Sequence, residues 1–248
     1  LIFLSKKNLN ILDTKSIEKA INQYKPKSIL HCAALSRPMS KHYTDIEKSI
    51  NLNIIGTANM VKICKKYGVK LIYLSTGYVY PCTKGNYKES DSVKPFNNYG
   101  FSKLGGECAV QMYKNSLVLR VTMTEKPFIH KKGYTNLYSN YMFHEDLVKI
   151  LPKLVNKFGI INVGGKSQSV YNFGKLHNNK IIKSHDHLKI MFEGFSLIYN
   201  DIRKFGFIRR LTISNIKFSK HINKLGNEPL TKEFNFKYLK QNIILLTL

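Results

Sequence analysis

Apolar and polar positions alternate along the first two thirds of the chain in two periods. Residues 14–24, TKSIEKAINQY, set Ile17, Ala20 and Ile21 three and four positions apart, on one helical face, with Asp13 or Thr14 available as N-cap and Pro26 closing the segment. Residues 28–35, SILHCAAL, form a compact apolar run between KPK and SRP, the pattern of a strand buried on both faces. From about 45 to 67, Ile50, Ile54, Ala58, Val61 and Cys64 recur at helical steps, and Gly68 supplies a stop. VKLIYLST, 69–76, is a second buried strand. After a loop of turn formers, PCTKGNYKESDSVKPFNN, the cycle repeats with a helix from about 99 to 113 and the strand SLVLRVT, 116–122. A helix over about 143–158, bent at Pro152, then precedes GIINVGG, 159–165. Strands alternating with helices of this length predict βαβ units and a doubly wound parallel sheet, with any ligand at the C-terminal ends of the strands.

Past about residue 174 the period fades. Residues 176–248 carry thirteen Lys and Arg against five Asp and Glu, with short apolar runs such as LKIMFEGFSLIY and NIILL. The chain therefore divides into an α/β part, 1–175, and a basic C-terminal segment, 176–248, to which the pattern assigns no fold.

Composition narrows the function classes. A net charge of +25 raises nucleic acid as a partner, but the charge is nearly all Lys, spread along the chain with abundant Asn and Ile. No Arg-rich block or aromatic RNA-binding signature accompanies it, so nucleic acid is not the expected partner. No run approaches the roughly 18 apolar residues of a membrane span, and the start is too quickly polar for a signal peptide. A soluble, cytoplasmic protein is expected. Cys32, Cys64, Cys82 and Cys108 form no C-x-x-C pair and have no histidine cluster at ligand spacing, so they read as reduced, mostly buried thiols with no metal.

Three tyrosines stand four residues before a lysine: Tyr80/Lys84, Tyr99/Lys103 and Tyr171/Lys175. With fifteen tyrosines in so lysine-rich a chain, about two such pairs are expected by chance, so context must choose among them. Pro81 and Gly85 make the first a turn, and Gly174 sits inside the third. Tyr99 and Lys103 instead share a face of a predicted helix. A lysine ammonium there favours the phenolate and lowers the tyrosine pKa, which suits acid/base chemistry at a carbonyl. Ser75 and Thr76, at the end of the preceding strand, offer a hydroxyl to polarise that carbonyl.

LSTGYVYP followed by YKESDSVKPFNNYGFSKLGGE resembles the extended short-chain dehydrogenase/reductase family, most closely its dTDP-4-dehydrorhamnose reductase branch. Glu89, Asp91, Pro95, Asn97, Tyr99, Gly100, Lys103, Gly106 and Glu107 fall in register with the branch pattern. The resemblance covers roughly residues 9–175 and implies a Rossmann-like, NAD(P)-binding fold. It implies that Tyr99 protonates the sugar carbonyl oxygen, that Lys103 lowers its pKa and binds the nicotinamide ribose, and that Thr76, with Ser75 as second choice, is the hydroxyl partner. Ala33, Ala34 and Leu35 match the segment lying along the cofactor, and Asp13 matches an acidic position near the adenine, although a plain N-cap role accounts for it equally. Asn53, Gly56 and Thr57 match a structural helix, and His144 and Asp146 a packing element near the substrate lobe. Arg120 is left between contacting a diphosphate and forming an internal ion pair.

The implied activity is an NAD(P)-dependent reductase of a nucleotide-linked 4-keto-6-deoxy sugar, using NADP or NAD, with a homodimer left open. A nucleotide-sugar epimerase or dehydratase of the same family, or a non-catalytic degenerate subunit, is the alternative. Three departures qualify it. The family's glycine-rich turn and first, central strand do not precede the first helix, and residue 1 is Leu, so the chain reads as N-terminally truncated, with exposed pairing edges, weak dinucleotide affinity and no activity of its own. Gly77 stands where the branch has Asp, which unsettles the rhamnose-type substrate. The segment after 175 does not match the family's C-terminal lobe.

Overall fold

The computed structural model describes residues 1–81, 85–185 and 243–246. Strand β1 (Ile2–Leu4) leads to helix α1 (Thr14–Tyr24), whose N-cap Asp13 accepts the Lys15 N–H at 2.9 Å and whose buried face is the predicted Ile17, Ala20 and Ile21. Strand β2 (Ser28–His31) is half the length the apolar run predicts. Residues 32–35 leave the ladder because the Asn53 side chain takes both backbone groups of Leu35, accepting its N–H at 2.7 Å and donating to its carbonyl at 2.9 Å. A short α2 (Lys41–Thr44) precedes α3 (Ile46–Ile50), which runs through a π-helical turn (Asn51–Ile55) into α4 (Gly56–Tyr67). The single helix predicted over 45–67 thus contains one wide turn, and Asn53 sits in it. Gly68, at φ 67, ends α4 as predicted.

Strand β3 (Lys70–Thr76) is buried along its whole length and passes into a 3₁₀ turn (Gly77–Val79). Helix α5 (Asn98–Gln111) starts at the Asn97 cap, whose Oδ1 accepts the Gly100 N–H at 2.7 Å, and leads to β4 (Ser116–Val121). Short strands β5 (Met123–Thr124), β6 (Lys132–Tyr134), β7 (Tyr138–Ser139) and β8 (Met142–Phe143) come next, then α6 (His144–Leu154), with Pro152 inside it, and β9 (Gly159–Val163). Strand β10 (Gln168–Ser169), helix α7 (Val170–His177), β11 (Ile182–Ser184) and β12 (Ile243–Leu246) complete the described elements.

The main sheet is six-stranded and parallel throughout, in the order β1-β12-β2-β3-β4-β9. Its faces separate by alternation along each strand. Ile29, Leu71, Tyr73 and Val118 pack with Ile17, Ile21, Met60 and Ile63 of α1 and α4; Leu30, Ile72, Leu117 and Leu119 pack with Leu147, Ile150 and Leu154 of α6. Helices on both faces of a parallel sheet make the Rossmann-like doubly wound fold that the pattern predicts.

One expectation is overturned here. A missing central strand implies an open edge between β1 and β2, yet β12, drawn from the NIILL run near the C-terminus, fills that slot, with Ile244 opposite Ile2 on one side and Ile29 on the other. The segment after 175 also extends α7 to His177 and supplies β11, which pairs with β6. The run LKIMFEGFSLIY and the Lys84 of the Tyr80/Lys84 pair lie outside the described residues, as does Cys82.

Candidate active site

Ser75 and Thr76 are consecutive on β3, and the strand's two-residue period sends them to opposite faces. The Thr76 hydroxyl accepts the Tyr78 N–H at 3.3 Å and shares a hydrogen bond with the Tyr99 hydroxyl. Tyr99 stands in the first turn of α5, and this helix start lies close against the 3₁₀ turn because Gly100 has no Cβ, which would otherwise overlap the Tyr78 carbonyl and Pro95. The Tyr99 ring meets His42 edge-on at 5.2 Å and Tyr78 at 6.0 Å between centroids.

Lys103, one turn further on, is buried, with its ammonium 4.1 Å from the centre of the Tyr73 ring. Gly105 and Gly106 allow this depth: a Cβ at Gly106 would overlap the Asn53 carbonyl, and one at Gly105 the Ile54 side chain, so α5 rests directly on the π turn. The Ala33, Ala34 and Leu35 segment, buried at the C-terminal end of β2, is held by Asn53, which also donates to Ser102 of α5 at 2.8 Å. Asn53 therefore ties that loop to the helix carrying Tyr99 and Lys103.

The electrostatics depart from the expected phenolate activation. Burial pushes the Tyr99 pKa above the ordinary tyrosine value, and the Thr76 hydrogen bond and the Arg37 charge only partly offset it. Arg37, from the loop after β2, is a cation that acts on this hydroxyl. Lys103 is itself lowered from 10.5 to about 7 by desolvation, which Cys32 and Glu107 partly oppose. His31, fully buried, is lowered to about 3 by burial and by Lys103. Tyr99 is consequently a protonated acid at neutral pH.

Ser75 belongs to a different constellation. Its hydroxyl donates to Glu107 Oε2 at 2.6 Å, and Glu107 holds Arg120 through Nη2 at 2.6 Å and Nε at 3.1 Å. Arg120 Nη1 donates to the Tyr80 hydroxyl at 2.7 Å, which donates to Asn162 Oδ1 at 2.8 Å, and the Asn162 N–H reaches Glu89 Oε1 at 2.8 Å. The open choice for Arg120 resolves to the internal ion pair, and the Ser75 hydroxyl is turned away from Tyr99, its hydrogen bond donated to Glu107. Asp13 is exposed and its carboxylate caps α1. His144 and Asp146 open α6, where Asp146 pairs with Lys149 at 3.2 Å.

Other residues at the site carry little sequence signal. His42 is buried, its Nδ1 2.7 Å from Ser49 Oγ. Arg37, an arginine in a lysine-rich chain, forms an ion pair with Glu125 across 88 positions of sequence. Of the described thiols Cys64 is buried, Cys32 partly so and Cys108 exposed, so the expected burial holds only in part. Among the described residues no group of His, Cys, Asp and Glu side chains gathers to hold a metal ion, and no helix is long and apolar enough to cross a membrane.

Comparison with known proteins places these features in context. The RmlD substrate binding domain family matches residues 1–132. The beta subunit of methionine adenosyltransferase 2 from Xenopus laevis is 39% identical over 114 residues, 46% of this chain and 34% of that protein. A dTDP-4-keto-6-deoxy-D-glucose reductase from Streptomyces niveus is 29% identical over 110 residues, 44% of this chain and 38% of that protein. These matches thus span little more than a third of the curated relatives' length. Among solved structures, dTDP-4-dehydrorhamnose reductase from Bacillus anthracis in complex with NADP superposes with a TM-score of 0.66 at 22% identity, covering 73% of this chain and 74% of that one, a likeness of fold.

Proposed function

The chain belongs to the RmlD substrate binding domain family, and on that premise we propose that it carries the proton-donating half of an NAD(P)-dependent reductase acting on a nucleotide-linked 4-keto sugar. The observation that supports this reading most is the hydroxyl pair of Thr76 and Tyr99 at the C-terminal end of β3, with Lys103 buried one turn beyond Tyr99. The Tyr99 hydroxyl, kept protonated by its burial, donates to the carbonyl oxygen, and Thr76 orients that oxygen. A pKa above the ordinary tyrosine value keeps this proton in place across the whole neutral range. The buried donors fit the nicotinamide end of a dinucleotide: the Lys103 ammonium, 4.1 Å from the centre of the Tyr73 ring, would hold ribose hydroxyls, and the backbone of Ala33, Ala34 and Leu35 would line the cofactor. A nicotinamide bound there would supply the hydride for the keto carbon. Asp13 would lie toward the adenine.

With NADPH and dTDP-4-keto-6-deoxyglucose, the full-length protein should lower absorbance at 340 nm, and Tyr99→Phe in it should stop the change. Turnover that survives this substitution sinks the mechanism.

A second reading, a non-catalytic subunit, has one specific support: at 39% identity, the beta subunit of methionine adenosyltransferase 2 is more similar in sequence than the Streptomyces reductase at 29%. Under it NADPH is not consumed, and the chain instead shifts the elution volume of a methionine adenosyltransferase on size exclusion.

A further inference from the structure

The Arg37–Glu125 ion pair joins two loops at the C-terminal edge of the sheet, one leaving β2 and one leaving β5. Both side chains are partly open to solvent, at 49% and 38% relative exposure, so the pair stands at the mouth of the site rather than in its wall. The Arg37 charge reaches into that site from this position: it favours the phenolates of Tyr99 and Tyr141 and disfavours protonation of His130. Glu125 is an incomplete partner for it. One carboxylate oxygen meets the guanidinium, while the other, Oε2, is buried with no hydrogen-bond partner.

An exposed ion pair of this kind contributes about 1 kcal/mol or less, so an incoming anion can separate it at little cost. A phosphate group presents two oxygens to the guanidinium fork and more charge than one carboxylate, and it therefore competes well for arginine. A chain of net charge +25 also draws polyanions toward it.

From these observations we infer that Arg37 is the anchor for the diphosphate of the sugar-nucleotide substrate and that Glu125 is its intramolecular stand-in, displaced when the substrate binds. This rests on the reductase reading for the identity of the substrate. The carbonyl end is then received by Tyr99 and Thr76, and the diphosphate end by Arg37. Glu125 sets a threshold: ligands without a diphosphate leave the pair closed.

Calorimetric titration of the chain with dTDP and with UDP, against thymidine and ADP-ribose, tests the inference without requiring turnover. Arg37→Ala should weaken the better-bound nucleoside diphosphate about tenfold, the scale of one lost charge-assisted contact, and leave thymidine unchanged. Arg37→Lys, which keeps the charge but not the fork, should fall between. Glu125→Gln should tighten the same ligand several-fold, because the competitor loses its charge. Thermal melts of all variants establish that they fold. The inference is overturned if Glu125→Gln weakens the diphosphate, if Arg37→Ala binds it as the parent does, if the parent binds neither dTDP nor UDP, or if the Arg37 effect appears with ADP-ribose alone, which would assign the anchor to the dinucleotide. The two readings fail separately: tighter dTDP binding in Glu125→Gln with no NADPH consumption leaves the anchor and removes the reductase, while turnover with an unchanged KM in Arg37→Ala does the reverse.

Discussion

Ser75 and Thr76 are adjacent on one strand and chemically alike, yet they serve two regions built on opposite terms. Behind Ser75, Glu107 and Arg120 form a buried ion pair at hydrogen-bond distance, which hydrogen bonds extend through Tyr80 and the half-buried Asn162 to Glu89 at the surface. Around Tyr99, by contrast, the buried Lys103 faces the Tyr73 ring, Nε2 of the buried His42 has no partner, and the Arg37–Glu125 pair has one bare carboxylate oxygen. A closed network holds a fold, whereas a half-satisfied one costs stability unless a ligand completes it. The contrast supports reading the Thr76 side as the working site and the Ser75 side as its frame.

Breaking the frame should have the largest effect. Glu107→Gln or Arg120→Met alone strands a buried charge or its partner and should cost about 3–5 kcal/mol in urea unfolding. Glu107→Met with Arg120→Met should recover most of that loss. A single substitution costing under about 1 kcal/mol would mean that the network does not carry the frame.

The working site should respond with the opposite sign. Lys103 has a folded pKa of about 7 against 10.5, so between those values the unfolded chain binds the extra proton and the parent gains stability as pH rises. Below pH 7 the parent bears the full penalty, on the order of 5 kcal/mol for a shift of this size. Lys103→Met should therefore be more stable than the parent at pH 6, with an advantage that shrinks toward pH 10, while any turnover is lost. Equal stability at both pH values would place the ammonium in contact with water.

The adjacent hydroxyls give the finest comparison. Ser75→Ala removes a donor from a buried carboxylate and should cost about 1–3 kcal/mol with the Tyr99 titration unchanged. Thr76→Val should cost under about 1 kcal/mol, yet raise the Tyr99 pKa further, seen in tyrosinate absorbance, and slow carbonyl reduction about 100-fold. If the two variants behave alike, the division between the faces is wrong.

Much of this was legible from residue order, and the parts that were not share a cause. Helix α1 matches its predicted bounds, and β3, α5 and β4 agree to within a residue or two, because each is specified by its own period and by caps such as Asp13, Asn97 and Gly68. The Tyr99/Lys103 pair and the Ser75/Thr76 pair were legible as candidates for the same reason, a helix start and a strand end being local signals, while the preference for Thr76 came from the family resemblance. The early end of β2 escaped because Asn53, eighteen residues away, competes for Leu35. The filling of the central slot by β12 escaped because NIILL is a short apolar run with no period of its own, and only the unpaired edges of β1 and β2 give it a place.

By itself, then, the order of residues determined the alternation of strands and helices, the parallel sheet it implies and the Tyr99/Lys103 spacing beside a strand-end pair of hydroxyls, since periodicity, capping and spacing act within a few residues. Tertiary structure alone decided which of two neighbouring hydroxyls faces Tyr99, that Arg120 is committed to Glu107, that burial holds the Tyr99 proton on and weakens the lysine's, and that Arg37 meets Glu125. These are effects of desolvation and of charges brought together from distant positions, which exist only once the chain has closed around them.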